Sequence, residues 1–315
     1  MSHPIHFAPL QGYTEAPYRR IHQEVCGGIE SYYTPFIRLE HGQIRRKDLR
    51  EALPEQNQGV PVVPQVIASG IEEFVPLVEQ LAQLGHRRID INMGCPFPLQ
   101  TRLGRGSGLL PHVDRVEAIL QETRRFSEEQ GIAFSVKMRL GQESVDECMT
   151  LLPMLNATPL VHVTMHPRVG KAQYKGELDM EAFDCFYAQC EHPIVFNGAI
   201  TTVDNMQSLE QRYPRLAGLM VGRGLLARPT MAMEYQSGRM LSEAEVRQLV
   251  LEMNRRLLAH YEQAIEGGEA QLLLKMQSFW EYLEPLFGHK VIKQLLKSGN
   301  MRRYQEAVAN AAAVR

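Results

Sequence analysis

Short apolar, β-prone runs alternate with helix-length segments eight times along this chain, and no other feature restricts its fold as much. The runs are Ile5–Pro9, Glu30–Pro35, Val62–Ile67, Ile89–Met93, Phe134–Arg139, Leu160–Met165, Ile194–Phe196 and Leu219–Val221. Between them, apolar residues recur at helical spacing in segments such as Glu72–Leu84, Asp114–Glu129 and Val203–Gln211. Strands separated by helices pair in parallel, because each connection must cross over the sheet. Eight such units within about 230 residues predict a (β/α)8 TIM barrel of α/β class rather than an open doubly wound sheet. No G-x-G-x-x-G opens the first helix, so a Rossmann-type site is unsupported.

After Met240 the strand pattern stops. Ser242–Ala264, Ala270–Leu283, Lys290–Leu296 and Met301–Ala312 read as helices, broken at Gly267-Gly268 and Ser298-Gly299. A barrel over 1–239 followed by a small all-helical C-terminal domain over 240–315 is therefore expected. A hydrophobic content of 44% and a charged content of 22% fit a soluble globular protein. The net charge of −2 gives no global attraction to nucleic acid, so any RNA-binding surface must be local. Two local clusters exist: Lys290, Lys293 and Lys297 on one helical face, and Arg45, Arg46, Lys47 and Arg50 near the expected barrel mouth. The five cysteines are scattered and form no CxxC pair. That argues against a disulfide framework or a metal site and for a reducing, cytoplasmic setting. Neither a signal peptide nor a membrane span is expected.

Side chains alternate across a strand, so polar residues inside the runs should share the barrel interior. The third strand offers Gln65 and the fourth Asp90 and Asn92. The fifth offers Lys137 and Arg139, and the sixth His162, Thr164 and, at its end, His166. Any one of these could be satisfied by a neighbouring charge, as Lys137 by Asp90. Four consecutive strands doing so imply a ligand, because branched apolar residues normally fill such a barrel. Asn197-Gly198-Ala199 and Gly222-Arg223-Gly224 follow the last two strands. Loops at those places commonly hold phosphate, through close backbone approach, amide groups and an Arg charge. Cys95, in Asn92-Met93-Gly94-Cys95-Pro96, is held between glycine and proline just past a strand end, where parallel α/β proteins place their chemistry.

These segments together resemble the tRNA-dihydrouridine synthases, FMN-dependent enzymes that reduce uridines in tRNA. Ala8-Pro9-Leu10-Gln11-Gly12-Tyr13-Thr14-Glu15-Ala16-Pro17-Tyr18-Arg19 is similar to the family's opening motif. Asp90-Ile91-Asn92-Met93-Gly94-Cys95-Pro96 is its most specific one, followed here by Gly106-Ser107-Gly108-Leu109-Leu110. Lys137-Met138-Arg139, and His166-Pro167-Arg168 with Gln173, Tyr174, Gly176 and Asp179, resemble its fifth- and sixth-strand motifs. Asn197-Gly198 and Gly222-Arg223-Gly224 complete the set.

The resemblance implies that FMN is held by Pro9, Leu10, Gln11, Gln65, Lys137, His166, Asn197, Gly198, Ala199, Gly222 and Arg223, and that NADPH reduces it. It implies that Cys95 protonates C5 of the uracil while Asn92, Arg139 and Arg168 line the target base. The helical domain, with Lys290, Lys293 and Lys297, would bind tRNA; no membrane and no protein partner is implied. Leu99, Thr101, Pro167, Val169 and Ala199 depart from the family pattern at positions that bear on RNA contact. The competing readings are an FMN barrel reductase of a small pyrimidine or enone and an RNA-binding barrel without turnover.

Overall fold

The computed structural model describes residues 2–314. Its strands are β1 (Ile5–Phe7), β2 (Ser31–Tyr33), β3 (Leu39–Glu40), β4 (Gln43–Ile44), β5 (Val62–Val63), β6 (Gln65–Val66), β7 (Arg88–Met93), β8 (Ala133–Gly141), β9 (Leu160–Val169), β10 (Ile194–Asn197) and β11 (Leu216–Val221). Nine of them form one parallel sheet in the order β5-β2-β1-β11-β10-β9-β8-β7-β6. The two ends of that order, β5 and β6, are halves of the expected third strand, separated by Pro64. Proline has no N–H to give to a ladder, so the strand breaks there. Its carbonyl still accepts from the Asp90 N–H at 2.9 Å, and the barrel is nearly closed through this seam.

Helices follow the strands as the sequence pattern requires, among them Ile71–Gln83, Val113–Gln130 and Val203–Arg212. Their apolar faces bury residues such as Phe74, Leu77, Ile119 and Phe126 against the outer strand face. Two additions escaped the sequence pattern. One is the β3–β4 hairpin, whose strands are too short to show a period; His41 and Gly42 at its tip both have positive φ, the geometry of a tight hairpin turn. The other is the length of β9, which runs to Val169. Two steps on β8 from Arg139 to Gly141 face three on β9 from His166 to Val169, so an extra residue bulges out at Pro167-Arg168.

The C-terminal segment is helical, with long helices over Glu243–Ala264 and Gly268–Trp280 and shorter ones to Ala312. Ser242 and Glu245 cap the first of these reciprocally. The buried Tyr304 hydroxyl accepts from Trp280 Nε1 at 2.9 Å and Asn254 Nδ2 at 2.6 Å, tying three helices together. Barrel and tail share a continuous core, in which Cys26 Sγ lies 3.7 Å from Met253 Sδ. At the barrel mouth, the Tyr13 hydroxyl bonds Glu281 and Lys275 pairs with Glu15. No helix of the described residues is long and apolar enough to cross a membrane.

Candidate active site

The chain reverses at the end of β7 because the Asn92 side chain takes the place of a strand partner. Asn92 Oδ1 accepts from Gly94 N at 3.1 Å and Cys95 N at 2.9 Å, a local turn that asparagine is well shaped to make. Arg139, on the neighbouring strand and almost fully buried, donates from Nε to the Gly94 carbonyl at 3.0 Å. From the other side, the backbone N–H and the hydroxyl of Ser107 both donate to the Cys95 carbonyl at 3.0 Å. Gly106 makes this approach possible: a Cβ there would lie 2.5 Å from the Cys95 carbonyl oxygen and 2.8 Å from its Cβ. Cys95 is thus fixed on three sides with its thiol partly exposed at the mouth. Burial pushes the thiol pKa up, against smaller opposing effects of the Phe97 backbone, Lys137 and Arg139. The group is kept as an acid rather than as a thiolate nucleophile.

Beneath it lies a directional hydrogen-bond chain. Asp90 accepts from Ser135 Oγ at 2.5 Å and from Gln65 Nε2 at 2.7 Å. The Gln65 Oε1 is thereby turned toward Asn92, whose Nδ2 donates to it at 2.7 Å. Burial raises the Asp90 carboxyl to about 7, with the Ser135 and Gln65 hydrogen bonds and Lys137 opposing. Lys137, partly exposed but densely surrounded, is lowered to about 8, first by desolvation and then by Arg139, with Asp90 and Cys95 opposing. The hydrogen bonds of Asp90 therefore run to Gln65 and Ser135, while Lys137 feels it only as a charge.

The loops after β9, β10 and β11 converge beside this chain. Arg168 Nη1 donates to His166 Nε2 at 3.1 Å, and Nη2 donates to the Gly176 carbonyl at 2.9 Å. His166 lies well below the usual imidazole pKa through burial and the surrounding cations Arg139, Lys137, Arg168 and Arg223. Arg139 and Arg223 stand over the Tyr174 ring at 5.4 and 4.5 Å from its centroid. Gly198 has φ +141, and a Cβ there would press on the His166 ring at 3.1 Å. Asn197 donates to the Met220 carbonyl at 2.7 Å, and Gly222 backs onto Ala8 and Leu10 of the first loop. Pro9 and Leu10 are partly buried there, with Gln11 exposed, and Ala199 is exposed with φ +50. Two buried polar atoms on β9, Arg168 Nε and Thr164 Oγ1, have no hydrogen-bond partner among the described residues. An anionic, hydrogen-bonding cofactor fits such a donor-rich cradle.

Gln65, Asn92, Cys95, Lys137, Arg139, His166, Arg168, Asn197, Gly198, Gly222 and Arg223 thus gather around one end of the barrel. His162 does not join them; it bonds the Tyr33 hydroxyl at 3.2 Å and stacks on His6, 5.7 Å away, lower in the interior. Lys290 and Lys293 are exposed on the helix His289–Leu296, and Lys297 is exposed immediately past its C-terminal end. They border a groove of about 580 Å³ together with His289 and Arg303. The orienting part of Asp90 and Ser135 carried no sequence signal, because alternation gives a face and not a partner. The clamp made by Gly106 and Ser107 was visible only as a motif.

The family profile described as Dihydrouridine synthase (Dus) matches residues 6–314. The chain is 29% identical over 244 residues to the tRNA-dihydrouridine(16) synthase of Pseudomonas putida, covering 75% of this chain and 74% of that protein. It is 26% identical over 226 residues to tRNA-dihydrouridine synthase B of Pasteurella multocida, covering 71% and 66% respectively. Among solved structures, histamine dehydrogenase from Rhizobium sp. 4-9 superposes with a TM-score of 0.56 at 11% identity, over 81% of this chain and 48% of that one. The old yellow enzyme from Trypanosoma cruzi gives 0.50 at 9% identity, over 76% and 89%. These structural likenesses concern the barrel fold.

Proposed function

The chain belongs to the dihydrouridine synthase family, and on that premise we propose that FMN is the flavin held in its barrel mouth, that NADPH reduces it, and that the uridine it saturates lies in tRNA. The family makes the chain a flavin-dependent oxidoreductase that forms dihydrouridine. One observation carries the finer reading: a fixed, protonated thiol at Cys95 sits beside a cradle whose buried donors Arg168 Nε and Thr164 Oγ1 lack partners among the described residues. His166, Asn197, Gly198, Gly222 and Arg223 would hold the cofactor with Gln65, Lys137 and the Pro9-Leu10-Gln11 loop, Ala199 lying at its edge.

When bound, the flavin supplies hydride to C6 of the uracil. The protein's part is charge and proton. Lys137, protonated at neutral pH with a pKa of about 8, offsets negative charge near the cofactor. Asn92 uses one Nδ2 hydrogen on Gln65 and keeps the other for the base, whose O4 gains enolate character as hydride arrives. Arg139 and Arg168 line the same mouth. Cys95 then gives its thiol proton to C5, which completes the addition of two hydrogens across the 5,6 bond. Reaching this depth requires the uridine to leave its stack. The helical segment over 240–315, through Lys290, Lys293 and Lys297, would take the phosphates of the rest of the RNA. A cytoplasmic setting follows from a tRNA substrate.

The test uses tRNA from a strain deleted for this gene. Incubated with the flavin-loaded enzyme and NADPH, it should gain dihydrouridine at a defined position. Cys95→Ala should keep flavin and tRNA binding but modify the RNA at least tenfold more slowly. Turnover of a free pyrimidine or an enone, with no change in the RNA, would overturn the assignment.

A further inference from the structure

Exposed large apolar side chains are concentrated next to Cys95. Phe97, Leu99 and Leu103 are 57%, 62% and 57% exposed within a seven-residue segment that starts two residues past the thiol. Apolar residues scattered singly over a surface are ordinary, whereas a cluster beside a reactive group implies something that covers it. We propose that this segment is an apolar wedge for RNA, stacking against the bases that flank the target uridine and filling the gap left when the uridine turns into the barrel.

The segment is built to be rigid. Pro98–Thr101 forms one helical turn, and Leu103, Gly104 and Arg105 fold back on it through backbone bonds to Gln100 and Thr101. Gly108 packs so closely behind it that a Cβ would lie 2.5 Å from the Thr101 carbonyl oxygen. Arg105 is buried, pairs with Glu73 on the helix after β6, and donates to the Leu39 carbonyl of the outer hairpin at 3.0 Å. Three apolar side chains are thus presented on a fixed support, so holding a base against them costs little ordering of the protein.

Charge around the segment points to a nucleic acid rather than to an apolar protein face. Arg102 lies within it. Arg115 approaches Gly104, 3.1 Å from where a Cβ would stand. Arg46 and Lys47 follow the hairpin that Arg105 anchors. All four are exposed, and none forms an ion pair among the described residues. Glu40 on the hairpin is matched by Arg38 and Arg45, while Glu72 and Asp114, on the helices that carry Glu73 and Arg115, are exposed acids. Apolar side chains with unpaired cations on the same and adjoining segments suit an RNA strand, whose bases stack while its phosphates stay solvated at the rim. Side chains that enter a stack are a recurring way to stabilise a distorted nucleic acid.

This proposal rests on the RNA reading given above, and the experiment separates the two. In Phe97→Ala/Leu99→Ala/Leu103→Ala, all three changed residues are surface-exposed and outside the cofactor cradle. Its flavin content and its reduction by NADPH should equal those of the wild type. With tRNA from the deletion strain at saturating concentration, single-turnover formation of dihydrouridine should fall at least tenfold. In a transcript carrying 2-aminopurine beside the mapped uridine, the fluorescence change on binding should be lost in the triple variant. A triple variant that modifies the RNA within twofold of the wild type and gives the same fluorescence change overturns the wedge alone, leaving the surface to a protein partner. A wild-type enzyme that neither binds nor modifies tRNA overturns the RNA reading, and the wedge with it.

Discussion

Asp90 determines which way the Gln65 carboxamide points: by accepting from Nε2 at 2.7 Å it turns Oε1 toward Asn92, and Asn92 in turn holds the amides of Gly94 and Cys95. Ionised, or carrying its proton on the oxygen that faces Ser135, the carboxyl accepts from Gln65 through Oδ2, and that removes the ambiguity of two successive amides. Asp90→Asn can keep both contacts, accepting from Gln65 and donating to Ser135. Asp90→Leu cannot, and it leaves Gln65 free to flip and oppose donor to donor at Asn92. An unsatisfied buried polar group costs about 1–3 kcal/mol. We expect the Leu variant to form dihydrouridine roughly ten- to a hundredfold more slowly, in line with that range, and to show an altered rate of Cys95 alkylation. The Asn variant should restore both; equal alkylation in all three proteins would refute the positioning role.

The same carboxyl should leave a mark on stability. Its folded pKa of about 7 lies above the ordinary carboxylate value, so between roughly pH 4 and 7 the folded protein binds more protons at this site than the unfolded chain does. Stability conferred by that extra proton is present at low pH and is lost as pH rises through about 7. Asp90→Asn removes the titration, and its denaturation midpoint relative to wild type should rise across that window. A difference that is flat with pH would show that the carboxyl titrates normally.

Gly106→Ala should be far more damaging than the same change at Gly42. Both have positive φ, but a Cβ at Gly42 meets nothing within 4 Å, while at Gly106 it collides with Cys95. The left-handed backbone alone costs about 1–2 kcal/mol, and the collision should bring the Gly106 change to roughly 2–4 kcal/mol. Chemical denaturation of the two variants measures the difference, and equal losses would show that Cys95 is not clamped.

Arg223→Ala should loosen the flavin. Loss of a charge-assisted contact to phosphate costs about 1.5–3 kcal/mol, or roughly ten- to a hundredfold in affinity. Tyr174, over which Arg223 stacks, stays in place to hold the loop. Wild-type flavin retention after gel filtration, together with wild-type affinity by fluorescence titration, would move the phosphate elsewhere.

Replacing Lys290, Lys293 and Lys297 with Ala should weaken all tRNAs alike and flatten the salt dependence by about 0.7–0.9 per lost contact on a log–log plot. Flavin content and NADPH oxidation should not change. An unaltered slope with unaltered affinity would leave these residues as a solvated face, and the RNA path would run over Arg46 and Lys47.

Much of this was legible in the chain because periodicity reports burial. All eight strand runs form, and the polar residues of β6, β7 and β8 share one face as alternation demands. Gln65, Asn92 and Lys137 were therefore nameable in advance. What alternation cannot supply is depth along the barrel, and His162, on the same face as His166, ends up beside His6 instead. Nor can it see hydrogen-bond direction: it offers Asp90 as one charge that could satisfy Lys137, and does not show that the bonds of Asp90 go to Gln65 and Ser135. The β3–β4 hairpin was missed because two-residue strands have no period, and the bulge at Pro167 because a proline usually ends a strand.

The first loop of the barrel is bonded to the tail, Tyr13 to Glu281 and Glu15 to Lys275. That loop also carries Pro9, Leu10 and Gln11, so whatever steadies one side of the seam acts on the other. Coupling of this kind has no preferred direction: if RNA seated on the helices tightens the grip on the cofactor by some factor, a filled cradle must tighten the grip on RNA by that same factor. An empty enzyme would then be a poor competitor for tRNA, and molecules not yet charged with flavin would leave the substrate to those that are.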